Sequence, residues 1–164
     1  MFPDAPFPHP HMSTGKMWYD LSHQNAQGLA ESRKFLTDWL RSLNNSTGVP
    51  LSRTILSGFS QGAAMTLDVG LSLPLAGLVA LSGYLHPISE PASGKFPPVL
   101  LVHGRQDSVV PLSAAQKARD SLVALGVAVQ YQEFNMGHEI RPEVLGLIRD
   151  FVLRVMPRES QKVS

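Results

Sequence analysis

Short apolar segments that alternate with helical segments constrain the fold of this chain most strongly. The segments 54–56, 78–81, 98–103 and 127–134 are rich in Leu, Ile and Val, with no sustained alternation of polar and apolar residues. Strands of this kind are typical of parallel sheets that helices cover on both faces. The sequence therefore predicts an α/β fold with a mostly parallel sheet and helices on both faces.

Helical periodicity fills the stretches between and around these strands. Apolar residues recur at helical spacing in the segments 24–43, 61–73, 114–125 and 141–155, whereas 2–16 has the character of a loop. A cluster of Asn, Ser, Gly and Pro at 44–50 is expected to end the first helix. The length of 164 residues is typical of one domain. We expect a single domain over 1–164, with 157–164 as a disordered tail.

Composition excludes several classes of function. The net charge is +1 without a run of Lys or Arg, so we expect no nucleic-acid partner. No apolar stretch reaches the roughly 20 residues of a membrane span, and the amino terminus lacks signal-peptide character, which predicts a cytoplasmic protein without integral membrane contact. The chain has no cysteine, so disulfides and a cysteine nucleophile are impossible. No metal-ligand cluster or phosphate-binding glycine loop is present, and we expect neither metal nor cofactor.

The segment Gly58–Gly62 reads Gly-Phe-Ser-Gln-Gly and fits the G-x-S-x-G nucleophile elbow. A predicted strand precedes it and a predicted helix follows, which is the context that the motif requires. In such a turn Ser60 would be exposed for nucleophilic attack. The backbone N–H of Gln61, at the start of the helix, would stabilise an oxyanion. The bare pattern also occurs by accident in ordinary glycine-rich turns, so the context carries the interpretation.

A serine nucleophile needs a histidine base, and the histidine needs a carboxylate that fixes its tautomer. In this arrangement the chain order is Ser, acid, His. Asp107 and His138 each follow a predicted strand and satisfy that order, so we predict a Ser60, Asp107 and His138 triad. Asp107 also suits a turn, and Glu133 is the rival acid, although it lies within a strand.

The other histidines are less suitable as the base. Three of them precede Ser60, namely His9, His11 and His23, and so break the expected chain order. His86 follows the wrong strand. His103 is expected to pack or hydrogen-bond beneath Asp107.

Four residues near these loops are candidates for substrate binding, namely Tyr84, Leu85, Val109 and Val110. If their side chains face the cleft, they favour an apolar acyl group. The alternative is that they simply pack in the core, and the sequence leaves both interpretations open.

At these motifs the chain resembles the family of carboxylesterases, acyl-protein thioesterases and lysophospholipase-like enzymes. The matching segments are Phe2–Pro6, Met17–Asp20, Gly58–Met65, Leu81–Leu85, His103–Asp107 with Val110–Pro111, and Gly137–His138. The resemblance implies an α/β-hydrolase fold and cofactor-free hydrolysis of esters or thioesters through an acyl-enzyme on Ser60. The substrate would be a small ester or acyl thioester, an acylated protein or a lysolipid.

One departure from the family pattern concerns the amino terminus. Family members carry early strands and a His-Gly loop ahead of the Pro-Asp-Ala-Pro segment, and this loop supplies the second oxyanion donor. Because the present chain starts just before that segment, we expect an amino-terminally truncated hydrolase. The alternative function is a catalytically inactive binding or interaction protein whose open sheet edge pairs with another chain, for example as a homodimer.

Overall fold

The computed structural model describes residues 1–21, 26–88 and 95–156. In chain order its elements are β1 (Phe7–Pro8), β2 (Lys16–Met17), α1 (Ala26–Thr47), a 3₁₀ turn (Leu51–Arg53), β3 (Ile55–Phe59), α2 (Gln61–Gly70), β4 (Gly77–Leu81), β5 (Val99–Gly104), α3 (Leu112–Ala124), β6 (Val129–Phe134) and α4 (Pro142–Val155).

Four parallel strands form the main sheet, in the order β3-β4-β5-β6. The register pairs Phe59 with Leu81 and Gly104 with Phe134, so the carboxyl ends of all four strands meet at one edge. The loops that leave this edge are where open α/β sheets build their sites. Within the described residues, β3 pairs with β4 only and forms one border of the sheet.

Alternating strand residues feed two separate hydrophobic clusters. On one face, Leu78 and Leu101 pack with residues of α1, α2 and α3, including the fully buried Leu122. On the other face, Val79 and Leu100 pack with Phe151 and Val144 of α4. The predicted fold class, a mostly parallel sheet with helices on both faces, is confirmed.

Two sequence-based boundaries are wrong. The segment 2–16 was expected to be a loop, but β1 and β2 form a short antiparallel ladder in which Phe7 pairs with Met17. Strands of two residues are too short to show any periodicity. Helix α1 continues beyond 43 to Thr47, and the hydroxyls of Ser46 and Thr47 donate to the Leu43 carbonyl in its last turn.

The other predicted helices and strands occupy the expected segments, with ends that shift by a few residues. Between β4 and β5, the described residues 82–88 and 95–98 contain no helix. The start of the first predicted helix, His23 and the predicted tail 157–164 lie outside the described residues. None of the helices described is long and apolar enough to cross a bilayer.

Candidate active site

Ser60 occupies the turn between β3 and α2 in a strained backbone conformation. Its φ is 55° and its ψ is −120°, in a region that non-glycine residues rarely adopt. Its N–H donates to the Leu81 carbonyl at 2.9 Å, and its own carbonyl accepts from the N–H of Ala63 at 3.0 Å. These bonds hold the strained turn in place, as the elbow motif predicts.

Two close backbone approaches make the turn possible. A Cβ on Gly58 would lie 2.1 Å from the Gly62 carbonyl oxygen, and a Cβ on Gly83 would lie 2.4 Å from the Ala63 side chain. Both distances are far below van der Waals contact, so neither position accepts a larger residue without movement of the backbone. The first helical turn of α2 therefore packs directly against β3 and the loop after β4.

Asp107 lies after β5, with its side chain fully buried. One carboxylate oxygen, Oδ1, accepts from the backbone N–H groups of Val109 at 2.9 Å and Val110 at 2.8 Å. The other, Oδ2, lies 2.8 Å from His138 Nδ1. Burial would raise the pKa of Asp107, but the hydrogen bonds from His138, Val110 and Val109 outweigh it and hold the pKa of this carboxyl below its usual range.

The contact with Asp107 fixes the tautomer of His138. An ionised carboxylate can only accept, so the proton of a neutral His138 ring must sit on Nδ1. The remaining nitrogen, Nε2, then carries a lone pair and is free to take a proton from a hydroxyl. This pairing is the acid–base half of the predicted triad.

Phe59 brings the His138 ring next to the elbow. The two rings are 4.7 Å apart between centroids, and Phe59 immediately precedes Ser60 in the chain. Phe59 also packs against the cluster on the α4 face. No hydrogen bond between Ser60 Oγ and His138 Nε2 is formed within the described residues. Catalytic hydrogen bonds are often formed only once substrate is bound.

Gln61 is placed at the first position of α2, where a backbone N–H has no partner within the helix. Because the first N–H groups of a helix point out of its amino-terminal end, the Gln61 N–H is directed away from the helix. Its side chain has a role that the sequence did not indicate. Gln61 Oε1 accepts from the Trp18 N–H and Nε2 donates to the Tyr19 carbonyl, both at 2.8 Å.

The rival acid and one rival base have other partners. Glu133 accepts hydrogen bonds from Arg105, Gln116 and Tyr131, which lower the pKa of its carboxyl. His103 is buried, and its Nε2 lies 2.9 Å from the Val110 carbonyl and 3.5 Å from Asp107 Oδ2. The expectation that His103 hydrogen-bonds beneath Asp107 is therefore confirmed.

The remaining described histidines lie elsewhere. His9 is half-buried and His11 is exposed, both in the connection between β1 and β2. His86 is buried and bonds to Tyr19. Over the described ranges, no three His, Asp or Glu side chains come together in a way that could hold a metal ion.

The four candidate substrate-binding residues have different environments. Tyr84 and Leu85 are half-buried and line a groove of about 560 Å³ between the loop after β4 and α3. Val109 is 64% exposed. Val110 is buried, and its backbone bonds to Asp107 and His103, so its main contact is with the acid.

Sequence reasoning missed a second polar cluster, formed by Tyr19, Asp68, Tyr84, His86 and Arg33. These residues lie on four separate segments of the chain, so no local spacing connects them. The one weak signal in the sequence is His86, two positions after Tyr84. The sequence suggests for Tyr84 only a contact with an apolar acyl group.

A parallel sheet with a strained serine between strand and helix, and a bonded Asp–His pair at the ends of later strands, defines the α/β-hydrolase fold. Residues 1–156 match the Phospholipase/Carboxylesterase family, and the chain belongs to it. The resemblance seen in the sequence is thereby confirmed.

Relatives and solved structures agree with this assignment. Acyl-protein thioesterase 1 of Neurospora crassa is 31% identical over 88% of this chain and 67% of its own length. Acyl-protein thioesterase 1 homolog 1 of Dictyostelium discoideum is 30% identical over 86% of this chain and 68% of its own length. The present chain thus spans about two thirds of these relatives.

Two crystal structures have the same fold. Esterase PE8 superposes with a TM-score of 0.82 and 33% identity, over 94% of this chain and 77% of that one. Arabidopsis thaliana SOBER1 superposes with a TM-score of 0.75 and 26% identity, over 86% of this chain and 74% of that one.

Proposed function

We propose that this protein is a serine hydrolase that cleaves carboxylic esters or thioesters through an acyl-enzyme on Ser60. The observation that carries the proposal is the 2.8 Å contact between Asp107 Oδ2 and His138 Nδ1, next to a serine at positive φ. The names of the relatives, acyl-protein thioesterases and an esterase, support the same class of bond.

In the first half-reaction, His138 Nε2 takes the Ser60 hydroxyl proton while Oγ attacks the substrate carbonyl carbon. The negative charge moves to the carbonyl oxygen, where the Gln61 N–H and the amino-terminal end of α2 stabilise it. Asp107 stabilises the imidazolium that forms. His138 then gives its proton to the departing alcohol or thiol, and the acyl group remains on Ser60.

In the second half-reaction, water takes the place of the alcohol. His138 Nε2 accepts a proton from water, and the resulting hydroxide oxygen attacks the acyl carbon. Collapse of the tetrahedral intermediate returns the proton from His138 to Ser60 Oγ and releases the free acid. Both half-reactions use the same three side chains.

The nature of the site favours a substrate with an apolar acyl group. Tyr84 and Leu85 line the groove between α3 and the loop after β4, and this loop approaches the elbow at Gly83. Val109 is exposed near Asp107. We propose small esters and acyl thioesters as the first substrates to try, with acylated proteins and lysolipids as the natural candidates of the same chemistry.

The test is hydrolysis of p-nitrophenyl butyrate by the wild type, Ser60→Ala and Ser57→Ala. Ser57 is an exposed serine on β3, three positions before Ser60, and is the matched control. We expect Ser60→Ala to abolish turnover and Ser57→Ala to retain it. A fluorophosphonate probe should modify Ser60 in the wild type, as mapped by peptide mass spectrometry.

Equal activity in the wild type and Ser60→Ala would refute the mechanism. Absence of both turnover and labelling in a folded wild type would instead favour the alternative, an inactive binding protein that pairs through the β3 border of the sheet.

A further inference from the structure

A chain of polar side chains runs from a half-buried ion pair to the groove lined by Tyr84. Asp68 on α2 is bound by Arg33 through two bonds, at 2.5 and 2.9 Å. His86 Nδ1 lies 3.5 Å from Asp68 Oδ2, and His86 Nε2 lies 2.7 Å from the Tyr19 hydroxyl. The Tyr19 hydroxyl also makes a short hydrogen bond with the Tyr84 hydroxyl.

The direction of each bond follows from the carboxylate at one end. Asp68 only accepts, and His86 Nδ1 is buried with no hydrogen-bond partner, so its N–H is best aimed at the Asp68 carboxylate. Nε2 of the neutral ring then accepts from Tyr19. Because the hydroxyl hydrogen of Tyr19 is then bonded to His86, the Tyr19 oxygen accepts a hydrogen bond from the Tyr84 hydroxyl. The Tyr84 hydrogen is thereby occupied, and its oxygen keeps lone pairs for another donor.

Charge balance agrees with this direction. Burial would raise the pKa of Asp68, but contacts with His86 and Arg33 lower it, so the carboxylate stays ionised. Burial, the largest cause, raises the pKa of Tyr19 far above its usual value, so Tyr19 keeps its proton.

The polar chain reaches solvent at both ends, through the Arg33 side chain, which is 40% exposed, and through Tyr84. Tyr19 and His86 are buried, at 7% and 8% exposure, whereas Tyr84 is half-buried and lines the groove together with Leu85 and Ala118. Gly83, just before Tyr84, approaches the Ser60 backbone so closely that a Cβ there would lie 3.1 Å from the Ser60 carbonyl oxygen. Tyr84, the end of the polar chain that lines the groove, is therefore one residue from a direct contact with the elbow.

We propose that Tyr84 is a specificity residue that accepts a hydrogen bond from an N–H or O–H of the substrate, and that His86 is a positioning residue that acts on Tyr84 through Tyr19. The proposal rests on the hydrolase function of Ser60. Substrates with a donor close to the scissile bond are favoured over isosteric substrates without one.

The experiment compares substrate pairs that differ only in the donor. Hydroxyethyl butyrate and propyl butyrate exchange a hydroxyl for a methyl group, and S-butyryl-N-acetylcysteamine against the S-butyryl ester of an alkanethiol of equal length tests an amide donor. For the wild type we expect kcat/KM to favour the donor substrate of at least one pair by roughly three- to tenfold. Tyr84→Phe should abolish this preference, so that the two substrates of the pair are hydrolysed with equal kcat/KM.

Variants along the hydrogen-bonded chain separate positioning from simple packing. His86→Gln retains an acceptor for Tyr19 and is expected to keep the preference, whereas His86→Leu should lose it. Combining His86→Leu with Tyr84→Phe should cause no further loss of preference, because both act on the same hydroxyl. If His86→Leu fails to fold, Tyr19→Phe breaks the same connection. Tyr131→Phe, which removes a hydroxyl bonded to Glu133, is the matched control and should keep the preference.

Preference that survives Tyr84→Phe, or that is absent from both substrate pairs, would overturn the specificity role. Independent, additive effects of His86→Leu and Tyr84→Phe would overturn the positioning role. Phosphonate labelling of Ser60 distinguishes these failures from a failure of the proposed function, because a labelled, active enzyme without donor preference contradicts only the further inference. A wild type without labelling and turnover contradicts both.

Discussion

Exchange of Asp107 for asparagine is expected to reverse the tautomer of His138 while the local backbone stays in place. In Asp107→Asn, the new amide can keep the bonds from Val109 and Val110 only if its oxygen takes the position of Oδ1, because its NH₂ group would otherwise oppose two N–H donors. The amide nitrogen then faces His138 Nδ1 and donates to it. The imidazole proton is forced onto Nε2, which can no longer accept from Ser60.

The expected loss follows from this geometry. A misplaced tautomer in a serine triad lowers kcat on the order of 10⁴-fold, or about 5 kcal/mol of transition-state stabilisation. The cost to stability is smaller, about 1–3 kcal/mol, since one charge-assisted bond is changed and two backbone bonds remain. Asp107→Asn should therefore lose far more activity than stability.

The assay is steady-state hydrolysis of p-nitrophenyl butyrate, with urea denaturation of the same samples. Glu133→Gln is the control, because Glu133 was the rival acid and bonds to Arg105 instead. It should change kcat by no more than about twofold. The reasoning is refuted if Asp107→Asn retains near wild-type kcat in a folded protein, or if Glu133→Gln produces the large loss.

Two further predictions concern stability. Gly58→Ala should destabilise the protein by at least about 3 kcal/mol, or prevent folding, because its Cβ would lie 2.1 Å from a backbone oxygen; Gly146→Ala, where α4 leaves the space open, should stabilise by about 0.5–1 kcal/mol. Thermal denaturation measures both, and equal shifts would contradict the packing argument. The pKa of Asp107 is lower in the folded state than in the unfolded state, so its contribution to stability is present above about pH 4 and is lost as pH falls through the folded-state pKa. The difference in unfolding free energy between the wild type and Asp107→Asn should shrink from about pH 7 to about pH 3, and a constant difference would contradict the assigned bonds.

Short-range patterns in the sequence predicted the parts of the molecule that depend on them. The apolar segments indicated the strands and the sheet class, and the elbow motif indicated the strained turn at Ser60. The order of the chain, combined with the rule that parallel strands end at one edge, predicted that Asp107 and His138 lie together. The 2.8 Å contact agrees with that reasoning, although it does not test their catalytic roles.

Other features depend on side chains that meet only in the folded chain. The side chain of Gln61 binds the backbone of Trp18 and Tyr19, which lie more than forty positions away. The bonds that join Tyr19, Tyr84 and His86 likewise bridge distant segments. Periodicity and motif spacing carry no information about such contacts, so these residues emerged only from the structure.

The turn at Ser60 and the Asp107–His138 pair are held by different parts of the sheet. Ser60 is positioned by bonds to neighbours within α2 and to the fully buried strand β4, whereas the Asp107–His138 pair spans the junction between β5 and β6. β6 is the more exposed strand and the last of the described sheet. Local opening of β6 would separate the base from its acid while the elbow stays intact. Under mild denaturant, turnover should therefore be lost when β6 opens. The backbone amides of α2 should still exchange slowly at that point.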